Sequence, residues 1–225
     1  MKERGMIFNE YQVCALLDGS MTQTRRPLRW KRTRFTEIGE RDDGSNWPWS
    51  EDCENCCDYW HPCPFGEIGD HLWVRESFGE DYDYHDHQEM PGCPSEHFHY
   101  DWLYRADGEI NKKNLDGCFS GWKSPIHMPR KASRITLEIT RIRVERLQNA
   151  DEFSLLDELG AMLEYDDTPA GRAFSHAEHY AIAGVPVGMS PEMHGFKAWW
   201  DKVNGAGSFD TNPWCWVIEF RRLEA

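Results

Sequence analysis

Four groups of side chains in this sequence have the types and spacing to do chemistry. In Thr22-Gln23-Thr24-Arg25-Arg26 two hydroxyls and two guanidiniums fall within five residues, and arginine's planar donor fork matches a phosphate or a base edge. The plainer alternative is a capped turn with solvated arginines. Glu76, in Trp73-Val74-Arg75-Glu76, is able to move a proton or accept from an exocyclic amine of cytosine, or else simply to pair with a nearby arginine. Glu76 with His127 is the pair available for acid–base work of the ribonuclease kind. Cys53, Cys56, Cys57 and Cys63, beside His61, combine a Cys-x-x-Cys pair with a third thiol. That spacing suits a structural zinc, the fourth ligand coming from Cys57, His61 or Cys93; free thiols are the alternative, because a second Cys-x-x-Cys is missing.

The formal net charge of −14 argues against a protein that coats DNA through a uniformly cationic surface. The cations are nevertheless clustered. Arg25, Arg26, Arg29, Lys31, Arg32 and Arg34 form one group, and Lys123, Arg130, Lys131, Arg134, Arg141, Arg143 and Arg146 another, together about half of the 25 lysines and arginines. An acidic body with one basic face is therefore expected, unless both groups are only solvated. Eleven tryptophans and eleven phenylalanines within 225 residues mark a folded chain with a sizeable core. The short apolar stretches and the N-terminal residues predict no membrane span and no secretion signal, hence a cytoplasmic protein whose cysteines are thiols or metal ligands.

The elements that must position these groups are legible in outline. Val13 to Leu17 predicts a helix stopped by Asp18-Gly19. Residues 37–64 and 79–99 read as long excursions, the second a mobile polar loop carrying His85, His87, His97 and His99. A strand through Trp73 places Arg75 and Glu76 on opposite faces. Apolar parity slips between Ile139 and Ile142, which predicts a bulge near Thr140-Arg141. Asn149 to Leu159 has helix start and stop signals, residues 168–190 are ambiguous, and Pro191 opens a helix with a Phe196, Trp199, Trp200, Val203 stripe. Trp214, Trp216, Ile218 and Phe220 give a closing strand. Separated strands, few helices and long excursions favour a mixed barrel.

Gly19-Ser20-Met21-Thr22-Gln23-Thr24-Arg25 resembles the signature of ASCH domains in the PUA-like superfamily: Gly, any residue, Lys, Thr, any residue, Thr, Arg. The whole chain also resembles phage and prophage proteins labelled morphogenetic, through Arg4-Gly5-Met6-Ile7-Phe8-Asn9, Cys63-Pro64-Phe65-Gly66, Trp73-Val74-Arg75-Glu76, Tyr104-Arg105-Ala106-Asp107-Gly108, Ile126-His127-Met128-Pro129-Arg130 and Asn212-Pro213-Trp214. The resemblance implies an α+β fold, a PUA-like β-barrel with flanking helices and long inserted loops. It would be a single domain over 1–225 with insertions at about 35–62, 79–99 and 149–210.

By the same resemblance the ligand would be RNA or a modified nucleoside or nucleotide. Thr22, Arg25, Arg26, Arg75, His127 and Arg130 would bind it, and Thr24 and Glu76 would be catalytic if the amide of an N4-acylated cytidine is hydrolysed. The lysine of such amidohydrolases maps onto Met21, and a thioether has no proton to exchange. That leaves binding without cleavage, a substitute base such as Glu76 or His127, or an altered residue 21. A phage accessory protein that acts on a host or phage protein is the non-enzymatic rival.

Overall fold

The computed structural model describes residues 1–29, 37–52, 57–85, 96–110 and 115–223. Its framework is a five-stranded sheet of β1 (Glu3–Ile7), β2 (Gln23–Pro27), β6 (His71–Arg75), β10 (Thr136–Arg146) and β11 (Trp214–Leu223), ordered β1-β6-β10-β11-β2. The β1–β6 pair is parallel and the other pairs are antiparallel. Leu72, Val74, Leu137, Ile139, Trp216, Ile218 and Phe220 cover one face and close a core with Met6, Phe8 and helix α1 (Glu10–Asp18). The predicted parity slip is a register shift between Ile139 and Arg141 on the β11 ladder. It lets β10 present apolar side chains to the same core on both sides of the irregularity.

Helix α1 forms where predicted. Asn9 and Gln12 make a reciprocal capping box, and Gly19 ends the helix at φ 83°, a left-handed conformation that a side chain would strain. Behind the sheet lie α2 (Glu152–Leu159), α3 (Pro169–Ile182) and α4 (Pro191–Asn204). Ser190 caps α4, Pro191 opens it, and its Phe196, Trp199 and Trp200 pack with Leu155, Leu159, Phe209 and Cys215 in a second core. Because Trp216 and Ile218 enter the first core and Cys215 the second, β11 is buried on both faces. A continuous apolar run results where a half-exposed strand would alternate.

Two expectations are corrected. The first excursion holds a three-stranded sheet of β3 (Glu37–Glu40), β4 (Asn46–Asp52) and β5 (Cys57–Trp60), not a periodless loop. Trp47 of β4 packs edge-on to Trp216 at 4.9 Å and lies under the Arg41 guanidinium at 3.8 Å, so aromatic stacking supplies this segment's order. The second excursion forms β7 (Phe78–His85) and β8 (Glu96–Tyr104), joined by β9 (Cys118–Phe119) in the order β8-β7-β9. Its His99 is not in a mobile loop: it faces Glu80 at 3.1 Å and stacks against Trp102.

The fold is α+β, and among the described residues the main sheet does not close into a barrel. Strands β1 and β2 remain its edges. The sheet is curled enough for Arg26 of β2 to donate from Nη2 to the Ile7 carbonyl of β1 at 2.8 Å. Among the described residues no helix is long and apolar enough to cross a membrane.

Candidate nucleic-acid interface

Most of the predicted binding and catalytic residues separate into two groups. The first lies against α2. Thr22 Oγ1 donates to Asp157 at 3.1 Å, Gln23 Nε2 to the Ser154 carbonyl at 3.1 Å, and Thr24 Oγ1 to Glu158 at 3.4 Å. Arg25 is only 2% exposed; its Nη1 meets Glu158 Oε2 at 2.7 Å and its Nη2 meets Ser154 Oγ at 2.8 Å. Apart from Arg25 Nε, which is buried without a partner among the described residues, Thr24 and Arg25 therefore spend their polar groups inside the protein, clamping β2 to α2. Met21, 3% exposed, belongs to the main core.

The second group surrounds β6. Glu76 is 1% exposed and receives two bonds from Arg134, at 3.0 Å each, while Arg134 also bonds Asp107 at 2.8 Å and lies 3.9 Å over the Tyr104 ring. Burial pushes the Glu76 carboxyl above its ordinary range despite the arginine. Burial alone would lower the Arg134 pKa, yet its bonds to Glu76 and Asp107 raise it. The two shifts differ in what they say of the pair: lost hydration outweighs the attraction for the carboxyl and not for the guanidinium. Glu76 thus holds the ion pair that was the plainer reading of it, and Thr24 holds contacts on a different element, across β10 and β11 in the sheet order.

Arg75 ends β6 and shares none of the partners of Glu76. Its guanidinium lies 5.3 Å from the Trp73 ring centre and donates to the Ile126 carbonyl, and Arg130 approaches the same ring at 6.0 Å. Arg130 is tied to Glu3 at 3.0 Å and Thr136 at 3.3 Å. His127, exposed, follows Ile126 in the adjoining turn of Pro125–His127. Arg75, His127 and Arg130 are therefore brought to one region, and Trp73 at its centre is the residue that motif reasoning passed over. Its signal was present: Trp73 and Arg75 are two apart on one strand. The position opposite Trp73 is Gly5, where a side chain would meet the Trp73 ring at 2.7 Å and the Arg75 stem at 2.8 Å.

Arg26 belongs to neither group. Its guanidinium lies 5.4 Å over Phe8, its Nε is buried without a partner, and it makes no ion pair among the described residues. Burial lowers its pKa, with the charge of Glu158 acting the other way. Arg75 Nε is likewise buried and unpartnered. Two guanidiniums without an ion pair among the described residues thus flank Ile7, which accepts from Arg26 and sits opposite Arg75 in the β1–β6 ladder.

Cys53 and Cys56 lie outside the described residues, as do Lys31, Arg32 and Arg34. Cys57 is exposed on β5, whereas Cys63 is packed into the main core and burial pushes its thiol up to about 11. A core-packed neutral thiol does not suit a zinc ligand, which must be a thiolate. His61 turns to Ser50 at 3.0 Å. Among the described residues no three His, Cys, Asp or Glu side chains gather as a metal group.

No protein-family model matches this chain, and neither the curated proteins nor the solved structures include a significant match.

Proposed function

We propose that this chain is a binding protein of the ASCH, PUA-like kind that holds single-stranded RNA or a nucleotide on the face around Trp73, without cleaving it. The observation that carries the reading is the Trp73 ring with Arg75 and Arg130 beside it. A base stacks on an indole whatever its identity, and guanidiniums over the same ring, as Arg75 and Arg130 are, would meet the flanking phosphates. Arg75 Nε is a buried donor with no partner among the described residues. Binding without turnover follows from the occupied state of Thr24 and from the apolar surroundings of Met21, neither of which offers a nucleophile–base pair.

The test is fluorescence anisotropy with a labelled, unstructured RNA oligomer at low and high salt. Stacking of one base contributes about 1–3 kcal/mol, so Trp73→Ala should weaken binding by about tenfold or more, with an unchanged circular dichroism spectrum. Arg75→Ala should flatten the salt dependence. RNA affinity unaltered in the Trp73→Ala, Arg75→Ala double variant would overturn the proposal.

A further inference from the structure

Beside this face, a separate cleft of about 510 Å³ opens at the end of β1, between the starts of α1 and α3 and the last turn of α4. That volume is typical of small-molecule sites. We propose that the cleft binds a small ligand with a flat apolar body and one anionic head group, a carboxylate or a monophosphate.

The anion preference comes from two helix N-termini that share the cleft wall. The Asn9 side chain caps α1 by accepting from the Gln12 N–H, and Thr168 caps α3 by accepting from the Gly171 N–H. The N–H groups of Glu10, Tyr11 and Ala170 have no acceptor among the described residues, and all three residues line the cleft. Such free N–H groups, with the dipole behind them, favour negative charge. The lining side chains do not reverse this. Two carboxylates, Glu10 and Asp167, face two cations, Arg105 and Lys202, so their formal charges cancel. Glu10 is moreover paired with Arg105 at 3.0 Å, and Asp167 accepts from Tyr11 Oη at 3.2 Å. Lys202, exposed, has no ion-pair partner among the described residues.

A second and independent sign of a ligand is Trp199 on the same wall. It is 8% exposed, and its Nε1 is buried with no acceptor among the described residues. An indole N–H left unmet in an apolar setting costs free energy that a ligand oxygen would recover. Phe8, Pro125 and Met162 supply the remaining apolar surface, which fits a planar ring better than a free inorganic ion.

Titration calorimetry with adenosine 5′-monophosphate, indole-3-acetate and inorganic phosphate tests this. Saturable binding of either organic probe, weakened about tenfold or more by Lys202→Glu, is expected, and the tighter of the two assigns the head group. Lys202 is on the surface, so its replacement leaves the fold intact; Trp199→Phe, checked by circular dichroism, removes the Nε1 donor together with part of the buried ring and should also weaken the organic probes. RNA binding by the Trp73 face should be unchanged in Lys202→Glu, which separates the two proposals. Absence of binding by both organic probes at millimolar concentration, or equal affinity in the wild type and Lys202→Glu, would overturn the assignment.

Discussion

Arg25 and Glu158 form a closed pair between β2 and α2: one carboxylate oxygen takes the Arg25 guanidinium at 2.7 Å and the other takes its backbone N–H at 2.6 Å. Neither side chain is more than 1% exposed. Removing one partner strands a buried charge, which costs about 3–5 kcal/mol, whereas replacing both by apolar groups is far milder. Arg25→Met should therefore lower the urea midpoint strongly, and Arg25→Met combined with Glu158→Leu should recover most of the loss. If Arg25→Met instead left stability intact and abolished ligand binding, Arg25 would be a ligand contact after all.

The Glu76–Arg134 pair should show its burial through pH. The folded-state pKa of Glu76 is raised, so its contribution to stability is full below the ordinary carboxylate value and declines as pH rises through the folded one. Arg134→Met removes the only cation bonded to it among the described residues and exaggerates that decline. The variant should lie close to the wild type in acid and fall about 3 kcal/mol below it near neutral pH, as followed by urea unfolding across pH. A further Glu76→Gln change should remove this pH dependence.

Thiol chemistry should divide the cysteines by burial. Cys63 and Cys215 are buried, with thiols pushed up to about 11 and about 12, while Cys57 and Cys118 are exposed. Brief iodoacetamide treatment of the native protein, read by peptide mass spectrometry, should label Cys57 and Cys118 and spare Cys63 and Cys215 until denaturant is added. Fast native labelling of Cys63 would contradict its place in the core.

Incubation with N4-acetylcytidine should release no cytidine. Thr24 is 0% exposed and Met21 3% exposed, so neither reaches a substrate, and Met21→Lys should destabilise the fold rather than create activity. Cytidine release above background, followed by chromatography, would reverse this conclusion.

How far the sequence could be read depended on whether the signal was local. The bulge in β10 was legible because Ile139 and Ile142 break a period of two, and α4 because Ser190, Pro191 and the aromatic stripe are contiguous. The strands β3 to β5 were not, since Pro48 interrupts the alternation of Trp47 and Trp49 and yet lies in the central strand of its sheet. Thr24 and Arg25 were picked out for chemistry because their partner, Glu158, is 133 residues beyond Arg25 and nothing local announces the pairing. Arg75 and Glu76 read as neighbours on opposite faces of one strand; β6 ends at Arg75, and the two side chains have different partners, the Ile126 carbonyl and Arg134.

The position of β11 between β10 and β2 also bears on how the chain reaches its native state. Two strands that precede it by many residues, β2 and β10, both have β11 as a ladder partner. Until Trp214 to Leu223 leaves the ribosome, β2 has no neighbour on the sheet and one side of β10 stays open, with the core residues of both uncovered. Such long-range pairing implies slow assembly, and a nascent chain with open strand edges is a substrate for chaperones and a hazard for self-association.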